Sequence, residues 1–140
     1  MNFAYINQLN FKTMTLYKNI VIVDDDKIYS NLMHKKIIKM KIANQVICLE
    51  NGKKALEFIR HKHDEKIDLM IVDINMPVMG GYDFLKNIED IKSGTQLKAI
   101  LVASNTITKY DKSEFLKLNC VSNVIEKTMV IDYIKKIKEN

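Results

Sequence analysis

The chain has 140 residues, 47% of them hydrophobic and 28% charged, which is the size and balance of one globular domain that needs no disulfide or structural metal. No apolar run approaches the roughly 20 residues that span a bilayer, and residues 1–18 lack both a continuous apolar stretch and a signal-peptide cleavage pattern; a cytoplasmic protein without membrane association is expected. The net charge of +5 comes from scattered lysines, with a modest cluster at Lys135, Lys136 and Lys138, so no nucleic-acid partner is expected.

Along the chain, short β-branched runs alternate with helical periodicity. Residues 19–23 read as a buried strand ending in acids. Ile28, Leu32, Met33, Ile37 and Met40 then recur at helical spacing, with Asp26 placed to cap the helix. Residues 45–49 form a second strand, and Ala55, Leu56, Phe58 and Ile59 mark a helix over 53–61, entered after Asn51-Gly52. The third strand is 67–73. Pro77, Gly80 and Gly81 break regular structure, so 75–81 is a loop. A helix over 82–91 follows, with Phe84, Leu85, Ile88 and Ile91 on one side. Residues 98–103 make a fourth strand, 112–118 a short helix, and 121–125 a fifth strand. A last helix over 130–138 carries Ile131, Ile134 and Ile137 on one face.

Strand followed by helix, five times over, predicts an α/β fold with a parallel sheet and helices on both faces. The near-continuous apolar strands agree, because such strands are buried on both sides. Cys48 and Cys120 lie far apart in apolar contexts without metal or redox spacing, and both are expected to be buried. His34, His61 and His63 are scattered and read as surface residues. Residues 1–18 carry Phe3, Tyr5, Ile6, Leu9 and Phe11 in loose alternation. Either this segment packs against the body or a partner, or translation starts at Met14.

Ligands of an open parallel sheet bind beyond the carboxyl ends of its strands. Asp24, Asp25 and Asp26 follow the first strand and Asp73 closes the third. Neighbouring strands would bring these carboxylates together, and their repulsion calls for a hard, oxygen-liganded cation, Mg²⁺ above all. Ser104 ends the fourth strand and Lys127 follows the fifth, adding a hydroxyl and an ammonium. An acid, metal, hydroxyl and ammonium at one edge suit phosphoryl transfer. Asp68 starts its strand, at the wrong end for this site, and reads as a surface residue.

The pattern Val23-Asp24-Asp25, the string Asp73-x-Asn75-Met76-Pro77-x-Met79-x-Gly81, then Ser104 and Lys127, resembles the response-regulator receiver domain. The intervals between these residues match the family as well. The resemblance implies a flavodoxin-like (βα)5 three-layer sandwich with strand order 2-1-3-4-5, the receiver occupying residues 19–140 and residues 1–18 an extension, partly disordered or lying before the true start. It implies phosphorylation of Asp73 by a sensor histidine kinase or a histidine phosphotransfer protein. Asp25 would ligate Mg²⁺ directly, Asp24 through water, and Asn75 through its backbone carbonyl. Ser104 would bond a phosphoryl oxygen, and Lys127 would pair with Asp73 and then with the phosphoryl group. Signalling would pass to an unidentified downstream protein through the face formed by the fourth helix, fifth strand and last helix. The expectation is a stand-alone phosphoacceptor and not an enzyme, limited to phosphoryl uptake and self-dephosphorylation.

Three positions depart from the family. Thr128 replaces the proline that often follows the lysine through a cis peptide, so a trans turn is expected here, since a cis bond without proline costs roughly 2.5–4 kcal/mol. Val124 stands where an aromatic switch residue is usual. Asn119-Cys120 replaces the usual glycine, with Asn119 able to take a left-handed conformation. The missing proline and aromatic motivate a rival reading, a pseudo-receiver that is never phosphorylated. A Mg-dependent phosphatase is the third reading, weakened by Asn75 where such enzymes place a second acid.

Overall fold

The computed structural model describes residues 15–61, 66–91, 97–103 and 109–139. Five strands, β1 (Tyr17–Val23), β2 (Ala43–Leu49), β3 (Leu69–Asp73), β4 (Ala99–Ala103) and β5 (Val121–Glu126), alternate with five helices. These are α1 (Lys27–Lys39), α2 (Gly52–His61), α3 (Gly81–Ile91), α4 (Lys109–Phe115) and α5 (Val130–Glu139), the last entered through a 3₁₀ turn at Lys127–Met129. All strand pairs are parallel, in the order β2-β1-β3-β4-β5, as the resemblance implies.

Alternation along each strand sorts the core into two halves. Ile20, Ile22, Leu69 and Ile71 face α1 and α5, meeting Met33, Ile37, Val130 and Ile134. Val21, Val23, Met70 and Val72 face the other way, against Ala55, Leu56 and Ile59 of α2 and Phe84, Leu85 and Ile88 of α3. The register pairs Ile20 with Leu69 and Val23 with Val72, so neighbouring strands present matching faces. Burial on both sides is why these strands read as continuous apolar runs.

Several local expectations are corrected. β1 begins at Tyr17, two residues before its apolar run, because Tyr17 is buried with its hydroxyl donating to Ile134 O at 2.9 Å. Helix α1 buries Ser30, Met33 and Ile37, whereas Ile28, Leu32 and Met40 are exposed. The turn of the helix carries Ile28 and Leu32 onto a separate stripe from the buried one. Helix α4 starts three residues early and ends at Phe115; Phe115 and Leu118 meet the core, and Leu116 points outward. Cys120 is buried, but Cys48 is exposed because β2 is an edge strand. Ile137 is exposed and Ile91's side chain lies outside the described residues.

Among the described residues, the non-glycine positions with positive φ are Lys41 and Val78, so Asn119 is not left-handed. Lys41, at φ 55, ends α1: Ile42 N donates to Ile37 O and Lys41 N to Ile38 O, both at 3.0 Å. That is a Schellman closure, which satisfies carbonyls the helix leaves free. Asp68 is no idle surface residue. Its Oδ2 accepts from Lys18 N and Asn19 N at 2.7 and 2.9 Å, bracing the start of β1. No helix among the described residues is long and apolar enough to cross a membrane.

Candidate functional site

Because β1 and β3 are neighbours in register, Asp24 emerges just beyond Val23 and Asp73 just beyond Val72. Asp24 N donates to Leu49 O and Ile74 N to Val102 O, which hold both strand ends in place. Asp24 and Asp73 are buried, 2% and 5% exposed, and Asp25 is exposed. One oxygen from each of the three carboxylates lies within 4.8 Å of the others. Asp26, by contrast, caps α1: its side chain accepts from Ile28 N and Tyr29 N.

Lys127 comes from the far side of the sheet, at the head of the 3₁₀ turn. Its Nζ lies 2.8 Å from Asp24 Oδ2 and 3.6 Å from Asp73 Oδ2. The resemblance implies a pairing with Asp73, but the nearer partner is Asp24. The Asp24 contact is close yet lacks hydrogen-bond alignment, so charge alone neutralises that buried oxygen. The other oxygens lean on backbone: Asp26 N donates to Asp24 Oδ1 at 2.9 Å and Asn75 N to Asp73 Oδ1 at 3.3 Å.

Burial pushes the Asp73 carboxyl up to about 6. The charge of Asp24 adds to the rise and Asp25 adds less, while Lys127 and the Asn75 N–H pull it back. Burial also opposes the charge of Lys127, but contact with Asp24 and the fields of Asp24, Asp73 and Asp26 outweigh it and hold that ammonium above its ordinary value. Three carboxylates against one ammonium leave about two negative charges, which a divalent cation offsets. An all-oxygen donor set and a buried Asp24 oxygen without an aligned donor both fit a hard cation such as Mg²⁺.

The loop after Asp73 is built to stay put. Met76 is buried, and Met79 packs so closely on Gly52 that a Cβ there would meet Met79 Sδ at 3.0 Å. Gly81 N donates to Ile74 O at 3.0 Å and Met79 N to Pro77 O at 2.8 Å. The second bond closes a tight turn around Val78, which is fully exposed at φ 71, a strained conformation for a β-branched residue.

The structure therefore brings together Asp24, Asp25, Asp73 and Lys127, with Asn75 at their edge. Ser104 and its neighbour Asn105 lie outside the described residues, as do His63 and residues 1–14. His34 and His61 are exposed, away from the site. The described residues contain no cis peptide, so Thr128 follows Lys127 through a trans bond, as expected. Val124 is buried. Sequence reasoning missed Tyr29, whose ring lies under the Lys127 ammonium at 4.6 Å. The available signal was an aromatic in the first turn of α1, just past the acids.

Residues 20–138 match the profile of the response regulator receiver domain. The chain belongs to the response-regulator receiver family. It is 34% identical over 97 residues to probable histidine kinase 4 of Oryza sativa subsp. japonica, a match covering 61% of this chain and 9% of that one. It is 28% identical over 101 residues to two-component response regulator ARR3 of Arabidopsis thaliana, covering 66% of this chain and 43% of the regulator. The chain thus spans less than half the length of either relative. Its fold is similar to that of the receiver domain of the histidine kinase CKI1 from Arabidopsis thaliana, solved with Mg²⁺ and BeF₃⁻. That likeness has a TM-score of 0.71 at 21% identity, over 88% of this chain and 91% of the other.

Proposed function

We propose that this receiver accepts a phosphoryl group on Asp73 from a phosphohistidine donor, a sensor histidine kinase or a histidine phosphotransfer protein, and signals by binding another protein. The observation that carries the reading is the convergence of Asp24, Asp25 and Asp73 within 4.8 Å beside Lys127. The kinase and the regulator among its relatives support a two-component setting. Donors of this kind are charged from ATP, so the reading puts the domain in the cytoplasm.

A carboxylate oxygen of Asp73 forms a bond to phosphorus as the bond from phosphorus to the donor's imidazole nitrogen breaks. That nitrogen keeps the bonding pair and takes up a proton. The product is an acyl phosphate on Asp73. Lys127 stands within reach of both Asp24 and Asp73, so it can follow negative charge onto the phosphoryl oxygens. Asp24, Asp25, Asp73 and the backbone carbonyl of Asn75 would hold Mg²⁺, which offsets charge on the transferring group. Ser104 is proposed as a hydrogen-bond donor to a phosphoryl oxygen. Asp73 is most reactive ionised, and its position at about 6 keeps it so near neutral pH.

A docking partner is supported by exposed apolar side chains on the segments that follow β1, β3 and β5. Ile28 and Leu32 on α1, Val78 after β3 and Met129 after Lys127 are all large, apolar and exposed, and exposed apolar groups of this kind suit a protein partner. The test is intact-protein mass spectrometry after incubation with Mg²⁺ and acetyl phosphate. Wild type is expected to gain one labile phosphoryl adduct, and Asp73→Asn none. An adduct persisting on the variant excludes Asp73 as acceptor. No adduct on wild type, with no Mg²⁺ binding, leaves the pseudo-receiver standing.

A further inference from the structure

We infer that Tyr29 is a positioning residue that sets Lys127 for phosphoryl transfer; the inference rests on the phosphoacceptor reading above. Lys127 needs such a constraint. It heads a 3₁₀ turn whose preceding residue, Glu126, makes no side-chain cap bond, and the peptide that follows is an ordinary trans bond. Its flexible side chain must carry the ammonium to a point shared by two carboxylates at unequal distances, 2.8 and 3.6 Å.

Tyr29 meets Lys127 at both ends. The ring lies 4.6 Å from Nζ, and the hydroxyl donates to the Lys127 backbone carbonyl at 3.4 Å, the long end of a hydrogen bond. The Lys127 side chain is only 14% exposed, and the pull of a ring face on a cation grows as water is removed. Tyr29 is itself well held: its N–H donates to the Asp26 cap at 3.1 Å, and its ring packs on the core shared by α1 and α5. The chain of support therefore runs from the α1 cap, through Tyr29, to the turn and the ammonium. The ring thereby limits where the ammonium can go, with Asp24 and Asp73 both within its reach.

The experiment compares Tyr29→Leu and Tyr29→Phe, each alone and combined with Lys127→Ala. It measures the maximal rate of phosphorylation by acetyl phosphate, the Mg²⁺ dissociation constant, and the NMR shift of the Lys127 ε-methylene protons. In wild type those protons are expected upfield, displaced by the ring. Tyr29→Leu is expected to abolish the displacement and lower the maximal rate about tenfold, the scale on which mispositioned groups slow a reaction. Mg²⁺ affinity is expected to hold, because its ligands are untouched. Tyr29→Phe is expected to recover most of the lost rate. On the Lys127→Ala background, Tyr29→Leu is expected to cost nothing further. The same loss on that background, an undiminished rate in Tyr29→Leu, or the absence of the upfield shift in wild type each overturns the inference. If Tyr29→Leu does not fold, Tyr29→Met carries the same comparison. A wild type that shows the upfield shift but takes up no phosphoryl group sinks the phosphoacceptor reading instead, and the role of Tyr29 in transfer with it.

Discussion

Asp73 sits in the chain as an ordinary strand-end acid, and its neighbours make it unusual. Its carboxyl is pushed up to about 6 from an ordinary 3.8, chiefly by burial and then by Asp24. A folded value above the unfolded one means the native state holds the proton more tightly between those limits. Stability without metal is then lost as pH rises from about 4 to about 6, as ionisation proceeds. Asp73→Asn is accordingly expected to stabilise the metal-free protein at pH 7 by about 1–2 kcal/mol, the shift discounted for the opening of the pocket to solvent; urea denaturation checks this, and a less stable variant refutes it. A cation ligand must be ionised, so Mg²⁺ binding at pH 6 is expected to release about half a proton, and at pH 8 almost none. Calorimetry in buffers of different ionisation heat reads that release directly. The acids were legible as residues because they follow apolar strands. Asp68 and Tyr29 were not, since their partners, the amides of β1 and the Lys127 turn, are distant in sequence.

At the scale of elements, the strands were the easiest to read and helix faces the hardest. A strand buried on both sides shows itself as an apolar run wherever it lies. A helix shows a stripe, and α1 carries two: the buried one through Met33 and Ile37, and the exposed one through Ile28 and Leu32. Periodicity merges them, because hydrophobicity alone does not say which stripe meets the sheet. The end of α1 falls at Met40, the last apolar residue of its periodicity, but carries no glycine signal, since Lys41 occupies the left-handed closing position that glycine usually takes. Lys41→Gly is therefore expected to stabilise the fold by about 0.5–1 kcal/mol, the relief of left-handed strain exceeding the added freedom of the unfolded chain. Thermal denaturation decides it; a loss of stability would show that contacts of the lysine side chain outweigh the strain.

Across the whole molecule, the parallel sheet in its predicted order sets β1 beside β3 and so makes one site of two acidic segments. Its last helix is tied to the sheet by Tyr17 of β1, whose hydroxyl donates to Ile134 O of α5 at 2.9 Å across most of the chain. Removing that donor by Tyr17→Phe is expected to cost about 1 kcal/mol in urea denaturation, and no change would mean the bond adds nothing net. The sequence by itself determined the alternation of strand and helix, the acids at the strand ends and the loop with Pro77, because local propensity and apolar periodicity are written residue by residue. Only the tertiary structure decided that Lys127 leans nearer to Asp24 than to Asp73, that Tyr29 lies beneath it, and that burial lifts the Asp73 carboxyl. Those are distances and fields between segments far apart in the chain, and they exist only once the sheet has brought the segments together.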